Sequence, residues 1–242
     1  MEKISLKIAV IAPPFITMPP KGHGGTERIA YEMAEGFKKR GHRVTLFGAG
    51  KCKTSAKFIQ VLEQTIEERK KEIAFTESFR ALRIETIYLA KIIEKIIEKE
   101  ASFDIVFNHS KNNYLFLPLT RFIKIPIINI LHLPLFKEAA EFYSHFKNSN
   151  IITISEAQRK GFSKINYLAT VYNGVDIKKF KLSKKPKDYF LFLGAMGAHK
   201  NPKDAINAAK EAEVELILAG GKIREPYFSK EIKPLIDGDK IK

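Results

Sequence analysis

Ile8-Ala9-Val10-Ile11-Ala12, closed by Pro13-Pro14, then Gly22-His23-Gly24-Gly25-Thr26-Glu27, then Arg28 to Arg40 ending at Gly41, then Arg43-Val44-Thr45-Leu46-Phe47-Gly48: this stretch decides the fold. An apolar run without polar alternation is the signature of a strand buried on both faces of a parallel sheet. Ile29, Met33 and Phe37 recur at helical spacing, and Gly41 follows as a helix terminator. Strand, glycine-rich turn, helix and strand make a βαβ unit.

Working outward, the pattern continues. Ser78 to Glu100 reads as a long amphipathic helix with Leu82, Ile87, Ala90 and Ile97 on its apolar stripe, and its mixed Lys and Glu positions read as a solvated face. Ile105-Val106-Phe107, Ile125 to Leu131, Ile151 to Ile154 and Ala169 to Tyr172 are further strands, with helical stretches at Lys137 to Phe146 and Glu156 to Phe162. Ser155-Glu156-Ala157-Gln158 has the form of a capping box. The expectation is an α/β, doubly wound Rossmann-like domain over residues 1–180, a Lys-rich linker over 181–188, and a restart at 189–242. In that restart, Tyr189 to Leu193 and Val214 to Ala219 are strands, Pro202 to Ala212 and Pro226 to Ile236 helices, and Ile241 stands where a third strand would begin.

Composition narrows the class. The chain has 242 residues, a 45% hydrophobic fraction, 42 Lys plus Arg against 27 Asp plus Glu, a net charge of +15 and a lone cysteine, Cys52. That apolar content excludes a disordered chain, and one cysteine excludes a disulfide framework, so a reducing cytoplasm is the expected compartment. The longest apolar stretch, Tyr114 to Phe136, contains Arg121, Lys124 and His132 and three prolines, which is incompatible with a spanning helix. The positive charge invites an anionic partner. No recognised nucleic-acid motif accompanies it, so nucleic acid is the least favoured of the candidates. Lys51, Lys53 and Lys57, and then Arg69, Lys70 and Lys71, fit contact with an anionic membrane surface as well as they fit a solvated face.

Ligands of open α/β sheets sit beyond the carboxyl ends of the strands. Gly24, Gly25 and Glu27 follow the first strand and open the first helix, where backbone N–H groups and the helix dipole favour a phosphate. The spacing matches neither dinucleotide-binding nor P-loop patterns, so these glycines could equally just make a turn. His109 and His132 end two successive apolar runs, a position suited to a ligand contact or to a structural histidine. Lys200 follows the Gly194 strand end by a short loop and can neutralise a diphosphate. No His or Asp cluster has metal-ligand spacing, so no metal is expected, and no Gly-x-Ser-x-Gly elbow occurs.

Together these segments resemble the retaining, nucleotide-sugar-dependent glycosyltransferases of family 4, which have the two-Rossmann GT-B architecture. The resemblance rests on Gly24-Gly25-x-Glu27, on Phe103-Asp104-Ile105-Val106 leading to His109, and on His132. It continues through Tyr172-Asn173-Gly174-Val175-Asp176 with Phe180, and through Phe192-Leu193-Gly194, Lys200 and Leu218-Ala219-Gly220-Gly221. It implies a sugar transferred with retention from a nucleoside-diphosphate sugar to an acceptor hydroxyl, with no cofactor besides that donor. It implies Gly24 and Gly25 near donor phosphate and acceptor, His132 on the donor sugar and Lys200 on the pyrophosphate. Glu27, His109, Asn173 and Gly194 are further donor- or acceptor-side candidates.

Two departures stand out: the family's pyrophosphate-binding Arg is replaced by Ala195, and the family's Glu-x7-Glu segment is absent from the sequence. The expectation is therefore a transferase acting on a sugar or lipid-linked acceptor, its C-terminal domain completed by a second chain or another copy, in the cytoplasm or at the inner face of the membrane. The alternative is a non-catalytic binding or scaffold protein derived from such an enzyme.

Overall fold

The computed structural model describes residues 4–71, 79–180, 182–221 and 225–242. Ser78 and Lys181, and the side chains of Lys70 and Lys71, lie outside the described residues. The chain divides into two compact units, Met1–Val175 and Asp176–Lys242.

The first unit is a parallel sheet of seven strands among the described residues: β1 (Lys7–Ile11), β2 (Arg43–Ala49), β3 (Lys57–Leu62), β4 (Ile105–Asn108), β5 (Ile127–Leu131), β6 (Asn150–Thr153) and β7 (Tyr167–Thr170), in the order β3-β2-β1-β4-β5-β6-β7. The strand order reverses direction between β1 and β4, which opens a crevice at their carboxyl ends. Helix α1 (Gly25–Lys39) covers one face through Ala30 and Ala34, whose small side chains bring the helix close to Val10, Val44 and Leu46. Helix α2 (Arg80–Glu98) covers the other face with Tyr88, Leu89, Ile92 and Ile96, packed on Ala9, Ile11, Phe47 and Val106. Tyr88 is fully buried, and its hydroxyl donates to the carbonyl of Ala12 at 2.6 Å, pinning the end of β1. Helix α3 (Lys137–Ser144) packs Ala139, Ala140 and Tyr143 near β5 and β6.

Several expectations need correction. The α2 stripe is not the one expected, because Leu82, Ile87 and Ile97 are exposed. The buried face runs through Glu85, Tyr88, Leu89, Ile92 and Ile96, since a helix apolar nearly all round leaves the choice of face to tertiary packing. Lys57 opens a strand that the sequence reading did not include, β3, which pairs in parallel with β2. The segment after β6 is a short 3-10 turn, Glu156–Arg159, in which Ser155 makes no side-chain cap. Gln158 bonds instead to the N–H of Ile154 (2.8 Å) and to the carbonyls of Leu131 and Leu133 (3.1 and 3.3 Å). Strand β7 ends at Thr170, two residues earlier than expected.

The second unit holds β8 (Phe190–Leu193) and β9 (Leu216–Ala219), paired in parallel, with α4 (Pro202–Glu211) against them. Ile241 forms a parallel bridge to Leu216, extending this sheet beyond β9. Pro226 to Ile236 is irregular, a π-turn at Phe228–Ile232 followed by a 3-10 turn at Lys233–Leu235. The backbones of β8 and β9 approach so closely at Gly220 that a Cβ there would strike the carbonyl of Gly194. No helix among the described residues is long and apolar enough to cross a membrane.

Candidate active site

The carboxyl ends of β1, β4 and β5 carry the polar residues of the first unit. After β1, the Arg28 guanidinium donates to the carbonyls of Pro20 and Gly22 at 2.7 and 3.2 Å, tying down the loop before the diglycine. Gly24 is the N-cap of α1 in the left-handed region (φ 110°), and a Cβ there would collide with Ile16. That position requires glycine. Gly25 is different: a Cβ would meet nothing within 4 Å, so the space above it is open. The first intrahelical bond runs from Arg28 N–H to the Gly24 carbonyl, so Gly25 and Thr26 contribute N–H groups that precede it at the positive end of the helix dipole.

Glu27 sits beneath this turn, 5% exposed. Burial pushes its carboxyl above the ordinary range, and neighbouring Glu67 adds to the rise, against its own backbone N–H and the opposite pull of Lys111 and His23. It is therefore placed to shape the turn from below. His23 Nε2 pairs with Glu67 at 3.3 Å.

Asn108 at the end of β4 donates to Asn129 of β5 at 3.1 Å, and its oxygen accepts from the N–H and hydroxyl of Ser110. This buried network holds the two strand ends in register, with Asn108 opposite Asn129. One residue beyond Asn108 and three beyond Asn129, His109 and His132 meet: Nδ1 of His109 lies 2.9 Å from Nε2 of His132, with the ring planes 25° apart. His109 is fully buried.

The partner of the other His109 nitrogen fixes the protons. Its Nε2 lies 3.3 Å from the sulfur of Met33 on α1. A thioether accepts and cannot donate, which assigns the His109 proton to Nε2. Nδ1 of His109 then accepts from Nε2–H of His132, leaving Nδ1 of His132 as an acceptor. Burial drives the His132 pKa from 6.5 down to about 4. Burial holds His109 well below the ordinary histidine range, with His132 adding to the effect. Both rings are neutral at physiological pH. Gln158, by holding the carbonyls on either side of His132, fixes the backbone that presents it.

His132 lines a cavity of about 240 Å³ together with Glu85, Ser110, Lys111 and Asn112. Glu85 is 4% exposed, and its Oε1 has no hydrogen-bond partner among the described residues. Its carboxyl is raised by burial and by Glu27, and pulled down by Lys111. Sequence reasoning missed Glu85, Asn129 and Gln158. Asn129 alone left a signal, a polar residue inside an apolar run.

Asn173 is in the exposed segment after β7. In the second unit, Gly194 donates its N–H to the Ala219 carbonyl at 3.0 Å, and exposed Lys200 closes a 3-10 turn, Ala198–Lys200, one residue before the left-handed Asn201 that caps α4. Among the described residues no group of His, Cys, Asp or Glu is arranged to hold a metal ion.

A family model described as Glycosyltransferase Family 4 matches residues 23–179, which contain the diglycine turn, both histidines and Asn173. The chain belongs to glycosyltransferase family 4. Solved structures agree on the fold. AviGT4, a glycosyltransferase involved in avilamycin A biosynthesis, matches at a TM-score of 0.61 and 19% identity over 98% of this chain and 62% of its own. Sucrose-phosphate synthase from Thermosynechococcus elongatus matches at 0.68 and 15% over 97% of this chain and 69% of its own. At such identities the likeness shows the fold alone, an α/β architecture of GT-B type, and the family 4 chain described here spans less than two thirds of the first of these proteins. No curated protein matches the sequence.

Proposed function

We propose that this family 4 chain transfers a sugar, with retention, from a nucleoside-diphosphate sugar to an acceptor hydroxyl. The observation that carries the reading is the convergence of an open diglycine turn, a helix N-terminus and a tautomer-fixed histidine on the carboxyl ends of β1, β4 and β5. The N–H groups of Gly25 and Thr26 stabilise charge on the departing diphosphate, and Lys200 of the second unit is a separate diphosphate-binding candidate. This assigns that charge to protein groups, with no metal ion. His132, through its acceptor Nδ1, receives a hydrogen bond from a donor-sugar hydroxyl and sets the ring's orientation. The bond from the anomeric carbon to the diphosphate oxygen breaks as the acceptor oxygen attacks from the same face, and the acceptor's proton passes to the diphosphate.

The proposal extends to a further polypeptide that completes the second unit. Support comes from β8, whose Phe190, Leu191 and Leu193 are exposed, whereas parallel strands are ordinarily covered on both faces. We assign the protein to the cytoplasm on the same grounds as the donor, since nucleotide sugars are cytoplasmic metabolites.

Incubation with a panel of labelled sugar nucleotides, with and without co-purifying polypeptides from the native source, tests this. Expected are sugar release or transfer and a retained anomeric configuration by NMR. Absence of sugar-nucleotide binding under both conditions sinks the reading, and full activity of the isolated monomer sinks its second-polypeptide component. Ala195, where a diphosphate-gripping Arg would add two parallel bonds, favours a second reading, binding without turnover. Measurable sugar-nucleotide affinity with no released product would establish it.

A further inference from the structure

Lys111 lies just beyond the end of β4, and the backbone that carries it is held on both sides. Ser110, 1% exposed, bonds to Asn108 through its N–H and its hydroxyl. Asn113, 2% exposed, donates to the Ile130 carbonyl at 3.2 Å. From this fixed base the Lys111 side chain reaches the loop before the diglycine, where its Nζ stands 3.7 Å from the centre of the Phe15 ring. The ring face attracts an ammonium at that distance. It fixes the position of the charge and leaves the three N–H donors unused.

No protein group takes up those donors. Among the described residues, no carboxylate lies within ion-pair distance of Lys111. Glu27 and Glu85 feel its charge, but burial opposes the ionisation of both, so the ammonium is left without a neutralising partner. Lys111 and Asn112 both line the cavity of His132. The Oδ1 of Asn112 accepts from the Tyr114 hydroxyl at 3.1 Å, which leaves its NH2 group to donate. Two successive residues therefore offer donors, one of them charged, and the group that matches them is an oxyanion. A lysine has no planar fork to match a carboxylate edge on, and as a point charge it suits the three oxygens of a phosphoryl group.

We propose that Lys111 is a ligand-binding residue of this site: its ammonium, with the Asn112 amide beside it, takes a phosphoryl oxygen of the molecule that occupies the His132 cavity. The inference rests on the glycosyltransfer reading above and adds to it a cation carried by the first unit. The phosphoryl group belongs either to the donor's diphosphate or to a phosphorylated acceptor, and the test separates these sources.

Calorimetry on the full chain compares glucose, glucuronate, glucose 6-phosphate, UDP and GDP. Lys111→Met is expected to weaken binding of the phosphorylated probe roughly tenfold or more while leaving glucose unaffected, and Lys111→Arg to recover most of the loss. The probe class that loses affinity, glucose 6-phosphate or the nucleoside diphosphates, names the source. Lys184→Gln, which removes the same charge from an exposed position, is expected to change nothing. Asn112→Asp, which sets a carboxylate where the amide donates, repeats the test with the lysine in place should Lys111→Met unfold.

Failure of every phosphorylated probe to bind the wild type overturns the proposal, as does unchanged binding in Lys111→Met or an equal loss in Lys184→Gln. Tighter binding of glucuronate than of glucose 6-phosphate and both diphosphates overturns the phosphoryl assignment, and a parallel loss of glucose affinity would show a structural role instead. Sugar-nucleotide hydrolysis, measured alongside, separates the two claims. Phosphate binding that depends on Lys111 without hydrolysis leaves this residue's role standing and removes glycosyltransfer; hydrolysis with binding indifferent to Lys111 does the reverse.

Discussion

Replacing His132 with Asn should remove a defined part of the pH dependence of stability. An unfolded histidine titrates near 6.5, whereas His132 in the fold titrates at about 4 because burial opposes its charge. The folded pKa is depressed, so between 6.5 and 4 the unfolded chain binds more protons than the native one. Stability is fully present above pH 6.5 and falls as the pH drops through this window. At pH 5 the unfolded ring is protonated and the native ring is still mostly neutral, so the loss relative to pH 7.5 is about 2 kcal/mol from this residue alone.

His109, held well below the ordinary histidine range by burial, acts in the same direction, so the wild type should lose stability with acid more steeply than the variant near pH 5.5. The raised carboxyls of Glu27 and Glu85 act in the opposite sense. They are common to both proteins and cancel in the difference. Urea unfolding at several values from pH 7.5 to 5.0 measures it. A His132→Asn protein that loses stability with acid as steeply as the wild type would show that the ring is not held neutral, and the tautomer argument built on the pair would fall with it.

The diglycine offers a paired test: Gly24→Ala should destabilise by about 1–3 kcal/mol through strain at φ 110° and collision with Ile16. Gly25→Ala should melt like the wild type yet weaken sugar-nucleotide binding at least tenfold, and unchanged binding would remove the turn from the site. Tyr88→Phe should cost about 1–2 kcal/mol in chemical denaturation, because the Ala12 carbonyl loses its 2.6 Å donor in a dry core. Gln158→Leu should leave the fold intact but lower turnover more than donor affinity, since it frees the backbone on both sides of His132; equal kcat would refute that positioning role. Gly220→Ala should loosen β8 from β9, seen as faster amide exchange at Phe192 and Leu218 with β1 to β7 unchanged.

The sequence disclosed the β1-α1-β2 unit because apolar continuity, two glycines and a helix terminator all point to one arrangement there. It disclosed both histidines, because each terminates an apolar run. It hid β3, where Lys57 and Gln60 interrupt a short strand at the sheet edge and mimic a loop. The buried face of α2 was hidden for another reason: its apolar residues surround the axis, and the deciding side chains are Tyr88, which needs a distant carbonyl, and Glu85, which composition reads as solvent-facing. Gln158 carried a local capping pattern that its contacts with Leu131 and Leu133 overrode. Interactions spanning more than 20 residues are invisible to spacing rules.

The Met33 sulfur seated against His109 has a consequence for catalysis near neutrality. With burial holding both pKa values below neutrality, neither ring takes up a further proton near neutral pH, and the direction of the pair's dipole is set by a helix residue, Met33. Turnover should then be flat across neutral pH wherever this pair is concerned, and reversing the hydroxyl preference of the site would call for a hydrogen-bond donor at position 33, with the ligand-facing surface left as it is.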